Sequence, residues 1–255
     1  MQARLVPAAN GVRWLIDGWR IFRAAPLAWL AIVFGYVLLT NVLAVVPVAG
    51  VPAALFIVPP LSFGLMVAAR AAEKGERLDL TMLFAGFREH VGPQLALGAA
   101  YMAGSLAVYG AVVLADPAGG LRLLLAGQGQ PDELDVAALV LPVLVAAAAY
   151  TPLMMALWFA PALAGWQSMG AAKAAFFSFA ACTINWRPFL AYGAAASIVL
   201  ILAPLVILAV LLVLSGGALH LNPAGLIFPL LLVLLPTLFA SFYASYRDIF
   251  PEARE

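Results

Sequence analysis

Charge is what this chain has least of. Asp, Glu, Lys and Arg make up only 10% of its 255 residues and hydrophobic residues 65%, where a soluble domain carries about 25% and roughly 45–50%. No single water-soluble core can hide that much apolar side chain, so lipid must be part of the solvent. Cysteine is nearly absent too. Cys182 stands alone, which excludes an intramolecular disulfide, and no CxxC or paired Cys/His spacing suggests a metal. Nor does the chain contain GxGxxG, GxxxxGK(S/T), HExxH or GxSxG, the short patterns that cradle phosphates, bind zinc or present a nucleophile. The net charge of +1 is uninformative as a total; what matters is where the 13 basic and 12 acidic residues fall. No cofactor, metal or nucleic-acid partner is expected.

What the sequence has instead is long uncharged runs. Crossing about 30 Å of hydrocarbon takes roughly 20 helical residues, and six segments reach that length: approximately Leu27 to Val46, Val51 to Ala69, Pro93 to Ala115, Val136 to Ala160, Pro188 to Leu214 and Gly225 to Tyr246. None contains Asp, Glu, Lys, Arg or His. An ionised side chain at the bilayer centre costs about 2.5–3.5 kcal/mol even on insertion scales. Six clean spans are therefore what lipid-exposed helices require. The first is a poor signal peptide, because four arginines precede it and it is longer than an h-region.

An even number of spans sets both termini on one side, together with the connections around 70–92 and 161–187. Twelve of the thirteen basic residues fall there, from Arg4 to Arg254, and the other side holds only Arg122 beside Asp116, Asp132, Glu133 and Asp135. The positive-inside rule then predicts cytoplasmic termini in a bacterial inner membrane.

Three passages before odd-numbered spans share one plan. They read "GVRWLIDGWRIFRAAPLAW", "LTMLFAGFREHVGPQLALG" and "AAFFSFAACTINWRPFLAYG". In each, an aromatic-rich helical stretch ends in a basic residue (Arg23, Arg88, Arg187), and a proline (Pro26, Pro93, Pro188) then opens the next span, where its missing amide is no loss. In the first, Arg13, Asp17, Arg20 and Arg23 project to one side and Trp14, Leu15, Gly18, Trp19 and Phe22 to the other, which predicts an amphipathic helix lying in the membrane interface. In the second, Leu80, Leu83, Phe84, Phe87 and Val91 form the apolar stripe, with Asp79 a candidate N-cap. The third is the least amphipathic. Arg20, Arg23, Arg88 and Arg187 are thus candidates for holding anionic phospholipid headgroups at the inner leaflet, with Trp14, Trp19 and Trp186 fixing depth.

The even spans repeat as well, though span four fits more loosely, with Pro142 and Pro152 ten apart and no terminal arginine. Pro52 and Pro59 precede Arg70 as Pro229 and Pro236 precede Arg247, with the second proline eleven residues before the arginine in both. The expected architecture is an all-α integral membrane protein, a single membrane domain over 1–255, with six transmembrane helices, interfacial helices before spans one, three and five, and a threefold internal repeat of about 11–72, 78–165 and 168–250. Each unit crosses twice, so the repeats are parallel rather than inverted. The alternative is that membrane helices tolerate proline and that aromatics and arginines collect at interfaces anyway.

With "GWRIFRAAPLAWL", "PPLSFGLMVAARAAEKGERLDLTMLFAGF", "NWRPFLAYG" and "YASYRDIF", the chain resembles, along nearly its whole length, a family of uncharacterised six-span inner-membrane proteins of proteobacteria. It is more distantly similar to the membrane region attached to some bacterial glycerophosphodiester phosphodiesterases. The resemblance implies an inner-membrane location and a fold. It implies no catalytic residue, since the soluble phosphodiesterase barrel with its acidic metal ligands is not in this chain.

Candidate chemistry is thin. His90 and His220 fall on opposite sides of the expected bilayer. A Cys182–His90 pair lacks a third member, and a small buried thiol is the simpler reading. Glu73, Glu76, Asp79 and Glu89 interleave with Arg70, Lys74, Arg77 and Arg88, as in a solvated loop with local ion pairs. Two function classes stand: a non-enzymatic membrane protein that binds lipid or organises its surroundings, suggested by the three elbows, and a transporter or channel for an uncharged or lipid-like molecule, suggested by Pro59, Pro60, Pro142, Pro152, Pro204, Pro229 and Pro236. The absence of any ionisable residue in the spans counts against ion coupling. The sequence assigns no protein partner and no oligomeric state.

Overall fold

The computed structural model describes residues 3–117, 119–125, 136–214 and 223–251, without the side chains of 122, 124, 125, 136, 203, 204, 208, 212 and 223–232. Asp132, Glu133, Asp135, His220 and Arg254, which figure in the topology expected from the sequence, lie outside the described residues, as does the side chain of Arg122.

Among the described residues the regular elements are helical and none is a strand. They are α1 (Asn10–Ala24), α2 (Pro26–Ala44), α3 (Gly50–Glu73), a 3-10 helix (Leu80–Phe87), α4 (Val91–Ala115), α5 (Gly120–Leu125), α6 (Val136–Leu157), α7 (Ala160–Trp166), α8 (Ala171–Ile184), α9 (Trp186–Leu214) and α10 (Pro223–Ile249). Among the described residues, five stretches are long and apolar enough to cross a membrane: Pro26–Ala44, Gly50–Glu73, Val91–Ala115, Ala137–Trp166 and Trp186–Leu211. The sixth expected span falls in α10, whose first ten side chains are outside the described set. On α9, Ile198, Ile201, Leu205 and Val206 are each more than half exposed. A helix that is apolar all round and uncovered by protein needs hydrocarbon as its solvent.

Prolines open these helices as the spacing requires. Pro26 is the first residue of α2, and Pro93 and Pro188 are the third residues of α4 and α9, within the turn whose amides have no helical acceptor. The joints are short: Ala25 alone separates α1 from α2, and Asn185 alone separates α8 from α9.

The chain forms two compact units. The first comprises residues 1–39, 61–89 and 180–255. Here α1 packs on α9 and α10 through Gly11, Trp14, Gly18, Ile21 and Phe22. A Cβ at Gly11 would meet the Pro188 carbonyl oxygen and the Tyr192 amide, and one at Gly18 would meet the Thr237 oxygen and Ser241. Backbone therefore touches backbone at both crossings, and only glycine leaves the room. The 3-10 helix rides on α3 in the same way, with the Leu83 backbone against Gly64. The second passage before a span is thus 3-10 rather than α-helical. Asp79 caps it by accepting the Thr81 amide at 2.7 Å, and i to i+3 bonds close it at both ends, Met82 N–H to Asp79 O at 3.1 Å and Arg88 N–H to Ala85 O at 3.0 Å.

The second unit comprises residues 40–60 and 90–179. Its α4 packs on α6, with Gly104 against Leu153 and the hydroxyls of Tyr101 and Tyr150 at 2.9 Å. Where the sequence suggests one span to Ala160, the helix breaks after Leu157, and α7 restarts at Ala160 with Pro161 in its first turn. Ser178 of α8 stitches the break, accepting the Phe159 amide at 2.9 Å and donating to the Met155 carbonyl at 2.7 Å. Buried Gln94 of α4 donates to the Pro161 carbonyl at 2.7 Å.

Candidate lipid-headgroup site

The first unit carries all seven residues that the sequence singles out. The last turn of α1 carries Arg23, whose guanidinium lies over the Trp19 ring at 5.7 Å from its centroid. One turn earlier, Arg20 pairs with Asp17 at 3.3 Å while two-thirds of its side chain remains exposed. At the joint between α8 and α9 the same pairing recurs, with the Arg187 guanidinium 5.4 Å from the Trp186 centroid. Trp19 and Trp186 are 40% and 53% exposed, so each presents a ring face and a cation together at the surface. Arg88 is exposed at the C-cap of the 3-10 helix, without an aromatic stack among the described contacts.

Trp14 departs from the sequence reading. It is 1% exposed and packs edge-on against Phe189 at 5.3 Å, with Tyr192 at 6.0 Å. Its indole N–H donates to the Asp248 carboxylate at 2.9 Å. Trp14 therefore belongs to the core and does not set depth at headgroup level. The reason is the glycine pair. Gly11 and Gly18 stand on the same stripe as Trp14 and let α9 and α10 approach backbone to backbone, which buries the ring between them. Of α1's large apolar residues, Val12, Ile16 and Trp19 stay more than a third exposed.

Sequence reasoning missed the polar clamp that holds this unit together. Asp248, near the end of α10, accepts from Trp14, from Asn10 Nδ2 at 2.8 Å and from Arg4 at 2.6 Å. Burial raises its carboxyl pKa, but the three hydrogen bonds and the Arg4 charge outweigh that and hold it below the usual carboxylate value. Fully buried Asn185 accepts the Val6 amide at 3.0 Å and donates to the Arg4 carbonyl at 3.1 Å and to the Ala181 carbonyl at 3.0 Å. The N-terminal segment is thereby pinned to the joint between α8 and α9. Beside this clamp, Arg247 bridges Asp17 of α1 at 2.9 Å and Glu73 of α3, and Tyr243 donates to Glu73 at 2.9 Å. The one sequence signal was the "YRDIF" run, whose Arg247 and Asp248 carry both networks.

Cys182 is buried, and desolvation pushes its thiol up to about 12, the direction that lowers the thiolate fraction. Among the described residues no group of three or more His, Cys, Asp and Glu could hold a metal ion.

A probable inner membrane protein of Burkholderia thailandensis is 33% identical over 259 aligned positions, covering 98% of this chain and 94% of that protein. The chain belongs to its family. This is accordingly a multi-pass protein of the inner membrane. No family model and no solved structure matches the chain.

Proposed function

We infer that this inner-membrane protein is non-enzymatic and retains anionic phospholipid at the cytoplasmic leaflet, through Arg20, Arg23, Arg88 and Arg187 with Trp19 and Trp186. The reading includes six spans, cytoplasmic termini and three parallel repeats, each turning from a surface helix into a span at an arginine. The observation that carries it is the recurrence of an exposed guanidinium stacked on an exposed indole, at Arg23/Trp19 and again at Arg187/Trp186. A stacked guanidinium keeps its in-plane N–H donors open, so it can grip phosphate bidentately while the ring rests in the headgroup layer. The competing role for these arginines, enforcing topology during insertion, needs positive charge but not guanidinium geometry. Replacing all four by lysine separates the two. Topology should survive, and retention of cardiolipin or phosphatidylglycerol through purification should fall; unchanged retention would leave the arginines as topology markers alone.

A second reading, passage of an uncharged or lipid-like solute, draws on Pro59 and Pro60 inside α3 and Pro142 and Pro152 inside α6, each of which frees a backbone carbonyl within a span. Uptake of such a solute by proteoliposomes, abolished by Pro152→Ala, would favour it over lipid retention.

A further inference from the structure

The rim of the first unit opens into a groove of about 400 Å³ between α1, α9 and α10. Its walls are Val12, Ile16 and Trp19 of α1, Ala195 and Leu200 of α9 and Val233 of α10, with neighbours of the same kind. The one hydroxyl in it, Thr237, is turned back on its own helix, donating to the Val233 carbonyl at 2.9 Å. A polar or charged occupant would find no partner there, and burying it would cost its hydration. Hydrocarbon has no such cost.

The groove is also elongated along the spans. α1 crosses α9 at Tyr192 and α10 at Ser241, while the walls continue to Leu200 and Val233, eight residues further on along each helix. At 1.5 Å per residue that is about 12 Å beyond the crossing, into the apolar lengths of both helices. At its other end stands Trp19, with Arg23 stacked upon it. Arg20 is paired with Asp17, and Arg247 with Asp17 and Glu73, whereas Arg23 makes no ion pair among the described residues. A slot that accepts only hydrocarbon and ends at an indole and an unpaired guanidinium matches one amphiphile: an acyl chain joined to a phosphate.

We propose that this groove is a single built site for an anionic phospholipid, one acyl chain lying between α1, α9 and α10 and the phosphate on Arg23. The proposal rests on the lipid-retaining function above and deepens it, from a charged surface to one slot with a defined occupant.

Ala195→Phe fills the slot from the α9 wall, and Val199→Phe does so one turn on. Ala194→Phe adds the same ring to an exposed neighbouring position outside the groove and is the matched control. Inaccessibility of the Cys182 thiol verifies folding in each variant. The full-length protein in detergent, supplied with an equimolar mixture of dioleoyl phosphatidylglycerol and dioleoyl phosphatidylcholine, is followed by native mass spectrometry. Wild type and Ala194→Phe should keep one phosphatidylglycerol at collision energies that strip the rest, and either groove variant should lose it. Arg23→Gln should keep one lipid but reduce the preference for phosphatidylglycerol about fivefold, as expected for one cation at an anionic headgroup. Full retention by both folded groove variants overturns the site. If that result accompanies loss in the four-lysine variant, the elbow reading survives without the groove; loss in the groove variants with no change in the lysine variant upholds the groove and removes the wider reading.

Discussion

Asp248→Ala tests the clamp that fixes α1, and its cost can be worked from the structure. The substitution leaves the indole N–H of Trp14, 1% exposed, without its acceptor. An unsatisfied buried donor costs about 1–3 kcal/mol. The ion pair with Arg4 is half exposed at the arginine and adds only about 0–1 kcal/mol. A total near 3 kcal/mol, at about 2–4 °C for each kcal/mol in a chain of this size, lowers the melting temperature by roughly 6–12 °C. Cys182 supplies the assay. It is the single cysteine, it is buried, and its thiol is held up to about 12 by desolvation, so a fluorogenic maleimide reacts only as the first unit opens. Asp248→Asn keeps an acceptor oxygen for the indole and should recover part of the loss, and the Ala substitution should cost much less in a Trp14→Phe background. The pH dependence carries a second signature. Because the folded pKa of Asp248 is depressed, its contribution is complete above the unfolded value of about 3.9 and is lost as pH falls through the folded value. The wild type should therefore lose stability below about pH 4 more steeply than the alanine variant. An Asp248→Ala protein that melts with the wild type, and with the same acid slope, would refute the clamp.

Gly18→Ala should destabilise the first unit by about 1–3 kcal/mol, read by the same thiol assay, since the new methyl would meet the Thr237 carbonyl and Ser241 on the facing backbone and neither can rotate away. Gly193→Ala, with nothing within 4 Å of the added methyl, should be close to neutral. For topology, in a Cys182→Ser background, an impermeant maleimide applied to intact cells should label a cysteine at 132 and spare one at 74; labelling at 74 would place that connection outside.

Helices and their starts were legible in the sequence because they depend on local chemistry. Pro26, Pro93 and Pro188 mark first turns wherever they stand, and Asp79 caps by reaching an amide two residues away. The arginine–tryptophan pairs are local too, since Arg23 and Trp19 are one helical turn apart and Arg187 and Trp186 are adjacent. Burial was not. Trp14 and Trp19 look alike on a helical wheel, but Trp14 shares its stripe with Gly11 and Gly18, and the helices that those glycines admit begin more than 170 residues later in the chain. The break between α6 and α7 was hidden likewise, because the hydroxyl that satisfies it belongs to Ser178 on another helix. In the third passage the sequence offered few polar markers because small residues face inward, Ala174, Ser178 and Ala181 all being buried, while Phe176 and Phe179 point out.

The burial of Trp14 changes how the lipid reading works. Were α1 an independent amphipathic helix, its depth would follow from partitioning, and Trp14, Trp19 and the arginines would move together with membrane composition. Instead Asp248, Asn10 and Arg4 lock Trp14 to α10, and Gly11 and Gly18 lock the α1 backbone to α9 and α10. The placement of Arg20 and Arg23 is then set by the packing of α1 on α9 and α10. Little helix freedom remains to be lost when a phosphate arrives, and an interaction whose backbone ordering is already complete retains more of its strength. A rigid α1 also makes the cations a fixed constellation that a lipid must fit. Loosening the clamp should therefore weaken lipid retention even though Asp248 bears the wrong charge to touch a phosphate, and retention of phosphatidylglycerol by Asp248→Ala at a temperature below its melt is the measurement that decides it. Wild-type retention there would mean that the arginines act as separate charges and that the packing of α1 contributes nothing to lipid binding.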